Sequence, residues 1–318
     1  LAYWGTGNAN VISPEGNSFM VTSANLMVSV ILPTYNRASM LERALRSIIA
    51  QTYQNFEIIV INDAGGDVDF IINTLDLQER IRYIKHDSNR GLAAARNTGI
   101  RAARGKYIAY LDDDDIFYPN HLETLCNFLE NSEYRIAYAD TCRVLQEMKK
   151  GSYEVTRKDT LSTEFDYDQI LVGNLIPVMC FMHEKSCLDE TGLFDETLTS
   201  HEDWDLWIRM SRRFKIAHIK EVTSEFSWRL DGSTMSSSRR DDFVRTLEII
   251  YGKYENHVIE KPRIVKLQRK NLILQKEQKS EKAWIRREKL KMALSRIIGI
   301  KGINFLYRMK LWLYKTYD

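Results

Sequence analysis

The chain has 318 residues, 44% of them hydrophobic, so a full core can form in one large domain or two smaller ones. No apolar run reaches the ~18 residues of a membrane span, which sets aside the integral membrane classes. Cys126, Cys142, Cys180 and Cys187 show no Cys-x-x-Cys spacing, so they read as reduced thiols of a cytosolic protein, neither a disulfide framework nor a zinc site.

The net charge of +2 hides an asymmetry. From Lys261 to Asp318, 17 Lys and Arg stand against four acids, a net of +13, which leaves −11 on the first 260 residues. An acidic body with a basic tail points to an anionic partner for the tail. No signal peptide is visible, and a start at Leu1 in place of methionine suits a piece of a longer protein.

Residues 1–26 are polar and small and read as a linker or edge segment. Val28 to Leu32, closed by Pro33, predicts a buried parallel strand. Leu41, Leu45, Ile48 and Ile49 predict a helix after it. Phe56 to Ile61 reads as a second strand, ended by Asn62-Asp63-Ala64-Gly65-Gly66, with a helix through Ile71, Ile72 and Leu75. Ile81 to Ile84 reads as a third strand, and Asn89-Arg90-Gly91 opens a helix carrying Arg96 and Asn97. Lys106 to Leu111 is a fourth strand; a helix through Leu122 and Leu129 and a strand from Arg135 to Ala139 follow. Such alternation predicts a doubly wound, mostly parallel α/β sheet with right-handed crossovers. Neither Gly-x-Gly-x-x-Gly nor a Walker lysine loop is present, so a nucleotide-binding sheet here is of another kind.

The fourth strand ends in Asp112-Asp113-Asp114-Asp115. Four adjacent like charges repel, and a divalent cation would offset that repulsion. Mg²⁺ or Mn²⁺ takes one or two protein carboxylates and completes its shell with water and substrate phosphates. The residues therefore read as a metal–diphosphate site at the carboxyl end of a buried strand. A solvated acidic loop capping the helix that starts near Pro119 is the alternative. Thr141 to Met182 looks like short strands and loops, Asp203 to Met210 like a helix with Trp204, Trp207 and Ile208 on one face, and Arg239 to Tyr254 like another.

Val28-to-Arg37, Ile58-to-Gly65, Asn89-to-Asn97, the aspartate run and Glu202-Asp203-Trp204-Asp205-Leu206-Trp207 stand in order and spacing. Together these five motifs resemble an inverting nucleotide-sugar glycosyltransferase of family 2 with a GT-A fold, over roughly residues 27–235. A helical extension over 256–318 then follows a glycosyltransferase domain over 27–255.

The resemblance implies roles. Thr34, Tyr35 and Arg37 would line the base and phosphate pocket. Asp63 matches the aspartate that accepts the uracil-type ring N–H, which favours UDP or dTDP; Asn62 stands where a second Asp is common. Arg96 matches a basic residue near the nucleotide. Asp112 and Asp114 match the Asp-x-Asp pair, Asp114 the more direct ligand of Mn²⁺ or Mg²⁺ and Asp113 the variable middle residue near the donor. Asp203 matches the general base, with Glu202 the runner-up. Arg229 fits a diphosphate contact, whereas Asp231 occupies the place of an expected histidine.

Leu294 to Tyr317 mixes apolar and basic residues, as in a helix lying at an anionic membrane surface or packing on another domain. A lipid-linked glycan acceptor and a cytoplasmic location, peripheral to the inner membrane face, follow as expectations. Nucleic acid is set aside because the tail carries too many apolar residues for an electrostatic arm. The contrasting reading is a non-catalytic nucleotide- or glycan-binding scaffold of a larger synthase.

Overall fold

The computed structural model describes residues 9–12, 18–21, 27–75, 79–149, 151–229, 231 and 240–277. The amphipathic stretch from Leu294 to Tyr317 lies outside the described residues. β1 (Ala9–Ile12) and β2 (Ser18–Val21) pair antiparallel with each other, apart from the main sheet.

β3 (Val28–Thr34), β4 (Phe56–Asn62), β5 (Ile81–Lys85) and β6 (Tyr107–Tyr110) form the parallel part of a nine-stranded sheet in the order β5-β4-β3-β6. Every residue of β3, β4 and β6 is buried, as expected of strands covered on both faces. β3 runs through Pro33 to Thr34 instead of stopping at Leu32. Pro33 pairs only with Ile61 of β4, because β6 has left the other side after Ile31, so its missing N–H disturbs no ladder there.

α1 (Ala38–Ile49) turns Leu41, Ala44, Leu45 and Ile48 into the core at helical spacing. α2 (Asp69–Thr74) follows β4, and α3 (Leu92–Ala102) follows β5. Ala93, Ala94, Ala95 and Gly99 give α3 a thin buried face. A Cβ at Gly99 would lie 2.6 Å from Ile31 Cγ2 and 2.8 Å from Ile61 Cδ1, so only glycine admits this approach to β3 and β4.

Beyond β6 the sheet is mixed. β7 (Ile116–Phe117) and α4 (His121–Glu130) follow the aspartates. Of the stretch expected to hold short strands and loops, the part up to Leu161 is instead a long hairpin of β8 (Ile136–Lys149) and β9 (Ser152–Leu161), while the part from Ser162 to Cys180 is loop with short 3-10 turns. β10 (Phe181–Glu184) lies antiparallel between β6 and β8. β11 (Ile216–Arg229), absent from the sequence reading, runs parallel to β8 over most of its length. Phe226 and Trp228 alternate with polar residues near its end, while a register shift between Val222 and Ser224 interrupts the period-two pattern before them.

α5 (Cys187–Thr191) and α6 (Glu202–Ser211) precede β11; α7 (Arg240–Lys253) and α8 (Pro262–Glu277) close the described chain. Trp204 and Trp207 of α6 are fully buried, Trp207 stacking on Phe181 of β10 with ring centroids 3.6 Å apart. Each tryptophan contributes roughly 4–6 kcal/mol of apolar burial before entropy is subtracted. That burial fixes α6 against the sheet and with it the Glu202-Asp203 pair at its first turn.

Candidate active site

The carboxyl ends of β3, β4 and β6 lie side by side, so the loops after them open at one edge of the sheet. Thr34 Oγ1 donates to Asp113 Oδ2 at 2.8 Å, and Arg37 Nη1 lies 3.2 Å from both Asp113 Oδ1 and Asp114 Oδ2. The loop after β3 is thereby tied to the aspartate run. Tyr35 stays 48% exposed beside it, its ring open to a stacking partner. Asn36 takes a left-handed φ of 57°, and its Oδ1 accepts the Gly66 N–H at 2.8 Å.

Asp63 is buried at the end of β4. Its Oδ1 accepts the Arg90 N–H at 2.8 Å and faces His86 Nδ1 at 2.7 Å, while Oδ2 accepts the Gly91 N–H at 2.8 Å. Asp63 thus holds the loop that opens α3, and its Oδ2 retains a lone pair for one more donor. Asn62 is fixed by the Gly65 N–H, the Gly66 carbonyl and the Tyr83 hydroxyl, so the departure from a second Asp serves the turn.

Arg96 is the link between the two halves of the site. It is 2% exposed. Nη2 lies 2.7 Å from Asp112 Oδ1, and Nη1 pairs with Glu202 at the start of α6. Burial alone would lower the Arg96 pKa, but Asp112, Glu202 and Asp203 hold it raised, so the group stays a cation. On the open side, Arg229 at the end of β11 lies 3.4 Å from Asp114 Oδ2 and stacks over the Tyr153 ring at 5.3 Å. Tyr153 donates its hydroxyl to Asp231 Oδ2 at 2.6 Å, so the residue in the expected histidine's place is held by the β8–β9 hairpin.

The aspartates are short of positive charge. Burial, then the charge of Asp114, pushes Asp113 up to about 6 against the opposing pull of Arg37 and Thr34. Burial and the neighbouring Asp112 raise Asp114 despite Arg37 and Arg229. Asp115 is raised well above the ordinary carboxylate range by burial and its three neighbours.

Asp203 sits in the first turn of α6, behind His201, whose φ of 60° is left-handed and whose Nδ1 meets Thr246 Oγ1 at 2.8 Å. Its Oδ1 accepts the Trp204 N–H at 2.7 Å, and its Oδ2 accepts the Asn174 amide at 2.8 Å. Burial, then Glu202, pushes its pKa up to about 7, with Arg96 and the two donors opposing. Glu202, in contrast, is spent on Arg96. Asn174 and Tyr153 are the site residues that sequence reasoning missed; no motif carries either of them.

Among the described residues no three His, Cys, Asp or Glu are grouped to hold a metal by themselves. The carboxylates of Asp112 and Asp114 are hard oxygen donors of the kind Mg²⁺ and Mn²⁺ take one or two of, the shell being completed by water and phosphate. The residues fit a metal of that sort and do not form a closed cage.

The chain is 34% identical over 214 residues to an uncharacterized glycosyltransferase of Rickettsia bellii, a match covering 67% of this chain and 30% of that protein. The chain therefore spans about a third of the length of this and similar Rickettsia relatives. It is 27% identical over 239 residues to the Escherichia coli UDP-Glc:alpha-D-GlcNAc-diphosphoundecaprenol beta-1,3-glucosyltransferase WfgD, covering 72% of this chain and 87% of WfgD. The Pyrobaculum calidifontis mannosyltransferase PcManGT, solved with GDP-Man and Mn²⁺, superposes with a TM-score of 0.53 at 15% identity, covering 91% of this chain and 85% of that one. This likeness shows the GT-A fold. The model of the family described as Glycosyl transferase family 2 matches residues 29–188, and the chain belongs to that family.

Proposed function

We propose that this chain is a metal-dependent, inverting glycosyltransferase that moves a sugar from a nucleotide-diphosphate donor to a hydroxyl of a growing glycan. The observation that carries the reading is the Arg96 bridge, which joins Asp112 of the aspartate run to Glu202 beside Asp203 through one buried guanidinium. The aspartate run and the Glu202-Asp203 pair are thus joined through one guanidinium.

Tyr35 stacks on the base of the donor, and the remaining acceptor site of Asp63 takes a ring N–H, which favours UDP or dTDP. WfgD, whose name gives UDP-Glc as donor and a diphosphoundecaprenol-linked acceptor, supports a pyrimidine nucleotide and a lipid-linked glycan here as well. Arg37 and Arg229, which flank Asp114, contact the diphosphate oxygens. Asp112 and Asp114 would hold Mn²⁺ or Mg²⁺, which when bound supplies Lewis-acid stabilisation of the leaving diphosphate. Asp203 takes the proton of the acceptor hydroxyl as that oxygen forms its bond to the anomeric carbon and the bond to the diphosphate breaks. The displacement inverts the centre and needs no enzyme nucleophile. A base with a pKa of about 7 suits this proton transfer, because it is partly ionised at neutral pH and strong enough to accept.

No helix among the described residues is long and apolar enough to cross a membrane. The basic segment beyond Lys261 would meet an anionic membrane surface or another domain of the same protein. The test is release of nucleoside diphosphate from a panel of nucleotide sugars with Mn²⁺, Mg²⁺ or EDTA. Turnover of one donor should require the metal, disappear in Asp114→Ala, and fall steeply in Asp203→Asn while donor binding survives. Metal-independent donor binding with no turnover, unchanged in both variants, would favour a scaffold instead.

A further inference from the structure

The segment from Ile170 to Ile176 has no catalytic motif, yet three helices grip its backbone. From α6, Trp204 Nε1 donates to the Ile170 carbonyl at 2.6 Å and Trp207 Nε1 to the Ile176 carbonyl at 3.1 Å. The Tyr251 hydroxyl of α7 donates to the Val172 carbonyl at 2.7 Å. From α8, Gln268 donates to the Leu171 carbonyl at 2.8 Å and Asn271 to the Val172 carbonyl at 3.0 Å. A short loop with this many fixed carbonyls is a rigid mount.

The mount carries Asn174. Its Oδ1 accepts the Ile176 N–H at 3.1 Å, which sets the side-chain amide and leaves Nδ2 to donate to Asp203 Oδ2 at 2.8 Å. Asn174 is exposed, whereas the clamping Trp204 and Trp207 are buried. Asp203 is thus held from both sides, by Trp204 N–H on one oxygen and by Asn174 on the other.

We propose that Asn174 is a positioning residue for Asp203, presented by the clamped Ile170–Ile176 segment, and that α7 and α8 belong to the catalytic apparatus through that clamp. This rests on Asp203 acting as the base. The amide orients the carboxylate while each oxygen, accepting one bond, keeps a further lone pair for the acceptor hydroxyl. It also favours the ionised form, as a donor to a carboxylate does. The other charged groups facing Asp203 are Glu202 on its own helix, which opposes ionisation, and Arg96 on α3, which favours it. Asn174 adds to Arg96 without adding charge.

The test uses the whole chain and two variants, Asn174→Ala and the isosteric Asn174→Asp. In each, kcat near neutral pH should fall about ten- to a hundredfold, the loss of one charge-assisted hydrogen bond. The KM for the donor should stay within about twofold, because the Asn174 side chain bonds Asp203 and the Ile176 N–H and not the aspartate run. The acid limb of the kcat–pH profile should move to higher pH by roughly one unit in Asn174→Ala, and further in Asn174→Asp, where a second carboxylate replaces the donor. Carboxyl-carbon NMR of Asp203, assigned by comparison with Asp203→Asn, reads the same upward move without turnover. An unmoved Asp203 titration in both variants overturns the proposal, including the case where only the melting temperature drops. A wild-type chain that turns over no donor would defeat the glycosyltransferase reading, while the NMR titration would still decide whether Asn174 governs Asp203.

Discussion

Asp203→Asn should trade activity for stability, and the trade should depend on pH. The folded carboxyl titrates near 7 through burial and Glu202, against an ordinary 3.8 in the unfolded chain. Between those values the native state binds the proton that the unfolded state has already lost, so stability falls as pH rises through the window. From about pH 5 to about pH 8 the charged form would cost about two units, or roughly 2.7 kcal/mol. Asp203 is part-exposed, so solvent screening brings this to about 1–2 kcal/mol. Asparagine cannot ionise and escapes the cost. The stability difference between variant and wild type should therefore widen by about 1–2 kcal/mol in the variant's favour between the two pH values, while transfer activity collapses. Paired urea unfolding curves measure this, and subtraction cancels Asp113, Asp115 and the other carboxylates common to both proteins. A difference that stays constant, or shrinks at higher pH, would refute the reasoning.

Arg96→Met should be the most damaging single change at the site. It leaves Asp112 and the buried Glu202 without their cation, a loss of about 3–5 kcal/mol read by thermal or urea unfolding. Gly99→Ala should lower stability by about 1–3 kcal/mol through its clash with Ile31 and Ile61, with kcat of the folded fraction unchanged. Tyr35→Ala should raise the donor KM about tenfold at near-constant kcat, the share of one stacked base, and steady-state kinetics with the active donor checks it.

The parallel half of the fold was legible because three of its four strands, β3, β4 and β6, are buried on both faces. Val28 to Leu32 and Phe56 to Ile61 are apolar but for Ser29 and Glu57, which bond each other in the interior at 2.7 Å. The mixed half was not. β8 and β9 carry Arg143, Glu147, Lys149, Glu154, Arg157 and Lys158 on a part-solvated hairpin, and such charge reads as loop until its pairing is seen. At the site, the residue types were readable while their partners were not. Arg96 was expected beside a nucleotide, and the structure pairs it with Asp112 and Glu202 across 106 residues of chain. Asp63 was expected to face the donor alone, yet it also fastens the loop before α3. Asn174 had no pattern at all, because its meaning lies in the two tryptophans that clamp its flanks.

The backbone carries a mark of the same site. The described non-glycine residues with left-handed φ are Asn36, Ala64 and His201. One follows β3, one follows β4, and one precedes α6, so all three stand beside residues of the candidate site. Alanine and histidine gain nothing locally from that conformation, which costs about 1–2 kcal/mol for a residue with a Cβ. Two are held from outside: Asn36 bonds the Gly66 N–H and His201 meets Thr246 of α7, whereas the Ala64 N–H closes a local turn on the Asn62 carbonyl at 2.8 Å. A surface loop under no demand would relax or carry glycine. Strain kept at these loop ends holds the neighbouring Tyr35, Asp63 and Asp203 in place, as the proposed transfer between two bound substrates would require.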